Sequence, residues 1–195
     1  MKILALELSS PRGSIAFVEG GQEPFAISFA NDRKDSRRFF EELQACLQRF
    51  GNPERIVVGL GPGSYAGTRI AIATASGLAA ASGVSLAGVS SVLAMTTDSR
   101  EYSVIGDARR QSYYFARVEN RQCAEGPLLF SEEELRARLS SARAPIFATK
   151  RIEAFPQAEV AQPAADILAQ LPMTVATGPL EPIYLRAPHI TLPRK

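Results

Sequence analysis

The sequence echoes itself at an offset of one hundred residues, and this limits the fold more than any other feature. Leu4-Ala5-Leu6-Glu7 aligns with Val104-Ile105-Gly106-Asp107, and Ile15-Ala16-Phe17-Val18-Glu19 with Phe115-Ala116-Arg117-Val118-Glu119. In each half an apolar strand ends on a carboxylate and a turn follows. A second strand then ends twelve residues later on Glu. A repeat at a fixed offset reads as two copies of one supersecondary unit. Two unrelated hairpins are the other reading.

The first copy can be followed in detail. Residues 2–8 read as a strand, Ser9 to Gly13 as a turn, 14–19 as the return strand and 25–30 as a third. Asp35 or Ser36 can cap a helix on which Phe39, Phe40, Leu43, Leu47 and Phe50 recur at helical spacing, and Gly51-Asn52-Pro53 stops it. Residues 55–60 return to strand. Gly61-Pro62-Gly63 turns, Ser64 is a good N-cap, and a helix runs to about Ser82. A strand at 84–89 and a short helix from Ser91 complete the unit. Such an order implies an α/β fold, a mixed sheet flanked by helices, with right-handed crossovers.

The second copy reads as trimmed. Beyond its hairpin it offers a capped helix at 131–139, a strand at 145–148 and a short helix at 163–171. The expected division is a lobe of 1–98 and a smaller lobe of 99–195.

Composition sets outer limits. With 195 residues, 46% hydrophobic and 22% charged, the chain is ordinary globular material. Its net charge of +2 names no nucleic-acid or membrane partner. Cys46 and Cys123 cannot make a disulfide framework, which suggests a reducing compartment. The apolar opening is broken at Glu7 and no targeting segment is expected. The expectation is a soluble cytoplasmic protein without a membrane partner.

Three groups of residues invite a functional reading. Gly61-Pro62-Gly63-Ser64-Tyr65-Ala66-Gly67-Thr68-Arg69 lacks the Lys of a Walker loop, and the strand that follows lacks the acid of a dinucleotide fingerprint. It remains either an anion-holding helix N-terminus, using Gly61, Gly63, Ser64, Gly67 and Arg69, or a tight turn with Arg69 ion-paired. Glu7 and Asp107 form either a paired-carboxylate site in an inter-lobe cleft or two solvated strand ends. The helix 64–82 carries small uncharged residues nearly all round, with Arg69 its only charge. That favours a protein contact through Ile70, Ala73, Thr74, Gly77 and Ala80, beside Phe39 and Leu43 of the first helix. The lone His189 reads as a surface residue. No catalytic or metal-ligating set is expected. The basic clusters, Arg109-Arg110 among them, read as solvated faces because acids interleave them.

Several of these segments occur together and in order. They are Ile3 to Ser10, the Gly61–Arg69 turn, Gly88-Val89-Ser90-Ser91, Asp107-Ala108-Arg109-Arg110 and Pro182-Ile183-Tyr184-Leu185-Arg186. On them the chain resembles the TsaB (YeaZ) family over nearly its whole length. The resemblance implies the duplicated actin-like, ribonuclease-H-like ATPase fold with a truncated second lobe. It also implies a non-catalytic subunit in bacterial tRNA threonylcarbamoyladenosine synthesis. That subunit pairs with a TsaD-like catalytic subunit, a TsaE-like ATPase docks on the pair, and tRNA is met through the complex. A homodimer of the chain alone is left open. No cofactor is implied for this chain, and ATP with Mg belongs to the assembly. The chain departs from the family in having Glu7 for Asp, and Tyr65-Ala66 for Phe-Thr. A self-sufficient ATP-dependent kinase or acyltransferase of the same superfamily is the rival reading. A glycoprotease would need a nucleophile with a base, or a metal, and neither is found.

Overall fold

The computed structural model describes residues 1–31 and 35–186. Each half builds one five-stranded mixed sheet on a shared plan. The first comprises β1 (Lys2–Glu7), β2 (Arg12–Glu19), β3 (Phe25–Ala30), β4 (Arg55–Gly59) and β5 (Ser85–Val89), in the order β3-β2-β1-β4-β5. The second comprises β6 (Glu101–Asp107), β7 (Ser112–Glu119), β8 (Gln122–Ser131), β9 (Ile146–Ala148) and β10 (Glu159–Val160), in the order β10-β9-β6-β7-β8. In both, the first three strands are antiparallel and the last two run parallel to the first. This is the duplicated actin-like, ribonuclease-H-like architecture.

Helices cover these sheets. Strand alternation splits the first into two buried faces. Leu4, Leu6, Ile15, Phe17, Ile56 and Val58 face α1 (Arg37–Phe50) and α2 (Tyr65–Ser82). Ile3, Ala5, Ala16, Val57 and Ala87 face the opposite way, onto α4 (Ala165–Gln170). On the second sheet, Ile105 and Phe115 pack with Leu135 and Leu139 of α3 (Glu132–Leu139). Its other face, with Tyr102, Val104 and Ala116, receives Val92 and Met95 from the 3-10 helix Ser91–Ala94 and the residue after it. The last helical piece of each half therefore covers the sheet of the other.

That exchange crosses the expected boundary at residue 98. Each sheet keeps to its own half, but α4 packs on the first sheet, because Leu168 and Ala169 complete that core. Arg121, in the β7–β8 turn, fixes the connector between the halves. Its guanidinium donates to the carbonyls of Leu93 (3.1 Å), Met95 (2.7 Å) and Thr97 (2.7 Å).

Two strands are additions to the sequence reading. β8 breaks alternation with polar Gln122 and Glu125, and then with Gly126-Pro127, and its pairing with β7 is irregular between Phe115 and Val118. β10 is a two-residue edge. The α3 cap is a full capping box, in which Ser131 Oγ accepts from the Glu134 N–H and Glu134 accepts from the Ser131 N–H. Among the described residues no helix is long and apolar enough to cross a membrane.

Candidate functional site: an inter-lobe cleft and an uncharged helix face

The β1–β2 turn, the start of α2 and the end of β6 meet at a cleft between the sheets. Three adjoining hollows, of about 130, 210 and 380 Å³, share Gly63, Ser64 and Asp107. The smallest lies between Ser9, Ser10 and Asn31 on one side and Gly106, Tyr114 and Lys150 on the other.

The two strand-end carboxylates, Glu7 and Asp107, stand in different surroundings. Glu7 is fully buried. Its Oε1 accepts from the Ser9 N–H (2.6 Å) and its Oε2 from the Ser91 hydroxyl (2.7 Å). Burial drives its pKa above the ordinary carboxylate range, and the hydrogen bonds from Ser9 and Ser91 partly offset this. The Ser91 hydroxyl also accepts from the Gly61 N–H (3.0 Å), so the acid anchors the glycine turn through Ser91. Gly59 makes room for the acid, since a Cβ there would lie 1.9 Å from Glu7 Oε2. Asp107 is exposed instead. It accepts from the Arg109 N–H (2.7 Å) and pairs with Lys150 Nζ (3.5 Å). The hundred-residue echo aligns the two positions on their strands but not their surroundings. Gly106 stands where Leu6 would be, and the buried Tyr114 fills the space. Burial first, and then the Glu7 charge, push the Tyr114 phenol upward.

The turn at α2 is tied into the chain by several of its own donors. The Ser64 N–H donates to the Ser9 carbonyl (2.6 Å), the Gly67 N–H to Ser64 Oγ (3.2 Å) and the Thr68 N–H to the Ser64 carbonyl (2.9 Å). These donors are engaged within the chain. Gly63 and Gly67 are needed for close approach, because a Cβ would stand 2.0 Å from the Ser9 oxygen or 2.1 Å from the Leu8 oxygen. Arg69 forms no ion pair among the described residues. Its guanidinium lies 3.3 Å from the Tyr65 ring centroid and 5.0 Å from that of Tyr184, and its buried Nη1 has no hydrogen-bond partner among the described residues.

The second candidate is the outer face of α2. Ala73, Gly77, Ala80 and Ala81 are exposed, while Ile70 and Thr74 are half-buried. Ala71, Ile72 and Ala75 point into the core. Phe39 and Leu43, expected beside this face, are only 2% and 5% exposed. They belong to the core because the apolar stripe of an amphipathic helix turns toward its sheet. The large apolar residue of α1 that reaches solvent is Phe40, at 47%. His189 lies outside the described residues. Sequence reasoning missed Ser9, Tyr114 and Lys150 as cleft residues, since none stands in a recognisable motif.

Comparison with known proteins follows from this geometry. Residues 36–126 match the family model of TsaD, tRNA N6-adenosine threonylcarbamoyltransferase. A crystal structure of an uncharacterised protein with similarity to peptidase YEAZ, from Pseudomonas aeruginosa, superposes with a TM-score of 0.76 at 23% identity, covering 95% of this chain and 99% of that one. The chain has the YeaZ-type fold. YeaZ from Pseudomonas aeruginosa itself superposes with a TM-score of 0.64 at 22% identity, over 75% of this chain and 74% of that one. With the TsaD match, these superpositions support the TsaB (YeaZ) family resemblance. An uncharacterised protein of Mycobacterium leprae is 32% identical over 140 residues, which is 69% of this chain and 38% of the relative. One of Mycobacterium tuberculosis is 32% identical over 139 residues, which is 69% of this chain and 65% of the relative. The YeaZ-type chain thus matches 38% to 65% of the length of these relatives.

Proposed function

We propose that the chain is a non-catalytic subunit of a tRNA threonylcarbamoyladenosine-forming complex, docked on a TsaD-like catalytic subunit through the outer face of α2. The observation that carries this is the row Ala73, Gly77 and Ala80, exposed and uncharged on a helix with a single charged residue. Small side chains allow a second helix to approach closely, and burial of the row contributes roughly 25 cal/mol per Å². The TsaD-family match over 36–126 includes this helix and supports the tRNA-modification setting.

The cleft supports the non-catalytic part of the reading. An actin-like fold implies ATP with Mg between its lobes. Here Glu7 is buried with both carboxylate oxygens held by protein donors, so it offers the cleft no second carboxylate beside Asp107 for a metal. These residues do not fit that group, and no step is routed through it. ATP and Mg belong to the assembly, with a TsaE-like ATPase and tRNA joining it in the cytoplasm.

The test is co-purification and calorimetry with the TsaD-like protein of the same genome. The native chain binds in fixed stoichiometry. Ala80→Arg stays folded and binds at least tenfold more weakly, because the charge loses its hydration without a partner. Unchanged binding by folded Ala73→Arg and Ala80→Arg removes the docking face. ATP turnover by the chain alone favours the kinase or acyltransferase reading.

A further inference from the structure

We propose that the mouth of the inter-lobe cleft contacts RNA directly, with Tyr65 and Tyr184 as stacking surfaces and Arg109, Arg110 and Arg186 as phosphate partners. This goes beyond the docking role and uses the opposite end of α2 from Ala80. Only the choice of tRNA as probe rests on the reading above.

Charge is the first observation. The interleaving acid at this site is Asp107, and it is already paired with Lys150 and bonded to the Arg109 N–H. Arg109, Arg110 and Arg186 are exposed, and none forms an ion pair among the described residues. Arg186 instead donates to Ser112 Oγ, which ties it to the β6–β7 turn that carries the other two. The solvated-face expectation for Arg109-Arg110 rested on a neutralising neighbour that the fold assigns elsewhere. A local cation excess attracts polyanions far more than the chain's net +2 suggests.

Aromatic exposure is the second, independent observation. Tyr65 is 68% exposed and Tyr184 43% exposed, with ring centroids 6.4 Å apart. The Arg69 guanidinium packs against Tyr65, 3.3 Å from its ring centroid, and lies 5.0 Å from that of Tyr184, so it braces the pair. Ring faces held in place beside free guanidinium groups suit a single-stranded or looped nucleic acid, whose bases stack while its phosphates pair. An acidic peptide would use the arginines and leave the rings idle. A third feature agrees. Arg109, Arg110 and Gln111 have φ of 63°, 53° and 57°, a run of left-handed non-glycine residues of the sort retained at binding loops.

The test is anisotropy of a labelled tRNA transcript with the full chain, between about 50 and 200 mM salt. Three phosphate contacts give a log–log salt slope of about −2 to −3. The double variant Arg109→Asn, Arg110→Asn removes charge with residues that tolerate left-handed φ. It should bind at least tenfold more weakly at low salt, with a slope shallower by about 1 to 2. Tyr65→Ala should weaken binding severalfold at an unchanged slope, since stacking releases no counterions. Tyr184→Ala repeats that test if Tyr65→Ala melts early. Arg143→Asn, at the opposite end of β6, should bind as the native chain does. Absence of binding at the lowest salt overturns the proposal. So does equal loss in Arg143→Asn, or polyglutamate competing as well as tRNA against both native and Tyr65→Ala chains. Ala80→Arg should leave RNA binding intact, so failure of the docking reading and failure of this one are separate results.

Discussion

Arg121 donates to the carbonyl oxygen of Met95 at 2.7 Å, and this joins the β7–β8 turn of the second sheet to the connector leaving the first. The same guanidinium reaches Leu93 and Thr97. A hydrogen bond to a charged group contributes about 1.5–3 kcal/mol net of its exchange with water, and these three share one guanidinium. Arg121→Ala should lower unfolding free energy by about 2–3 kcal/mol in urea melts. Arg121→Lys should recover little, because an ammonium cannot reach three carbonyls as a planar fork does. A loss under about 0.5 kcal/mol would show the connector holds without it.

The Glu7 environment gives a pH signature. Its folded pKa is raised, so between its unfolded and folded values the native chain binds more protons than the unfolded chain. Stability from this group therefore falls as pH rises through that window. Glu7→Gln should flatten the decline and keep or raise the melting temperature at neutral pH. Glu7→Ala should cost about 2–4 kcal/mol, because it leaves a cavity and strands the donors of Ser9 and Ser91. Thermal melts from about pH 4 to 9 separate the three chains; parallel curves for native and Glu7→Gln would contradict the burial argument.

Two glycines on one helix should respond in opposite ways. A Cβ at Gly67 stands 2.1 Å from the Leu8 carbonyl oxygen, so Gly67→Ala should destabilise by about 1–3 kcal/mol. At Gly77 nothing lies within 4 Å, and Gly77→Ala should stabilise the chain by about 0.8–1 kcal/mol through helix propensity. If α2 docks closely on a partner, the same Gly77→Ala should weaken that association. A variant both more stable and equally well bound would place the contact away from Gly77.

Thiol labelling should divide the cysteines. Cys46 is buried in the first core, and burial pushes its thiol up to about 11. Cys123 is exposed, although burial also raises its pKa. Near pH 8 the native chain should react slowly and at Cys123 alone, with Cys46 appearing on unfolding. Rapid double labelling of folded protein would point to an opening first core.

Much of the first sheet was legible because its signals agree. Short apolar runs at Ile3–Leu6 and Ile15–Val18, turn residues between them and the Ser64 cap all favour one layout, and Ser64 does accept from Gly67. The second sheet was legible only through its likeness to the first. β8 escaped notice because an edge strand need not alternate. At the site, spacing placed Glu7 and Asp107 at equivalent strand positions, yet burial depends on neighbours distant in sequence. Ser91 and Gly59 hold Glu7 inside, while Lys150 meets Asp107 outside. Phe39 and Leu43 were assigned outward because helical period locates a stripe without saying which way it turns.

The crossing of α4 onto the first sheet makes neither half a self-contained fragment. A polypeptide ending at residue 98 would leave Ile3, Ala5, Ala16 and Val57 without the Leu168 and Ala169 that cover them. A fragment beginning at 99 would lack the Val92 and Met95 that cover Tyr102 and Val104. Coexpressed as separate pieces, the two should be insoluble alone and recover a native-like particle only in each other's company. Each half thus carries the lid of its twin's core.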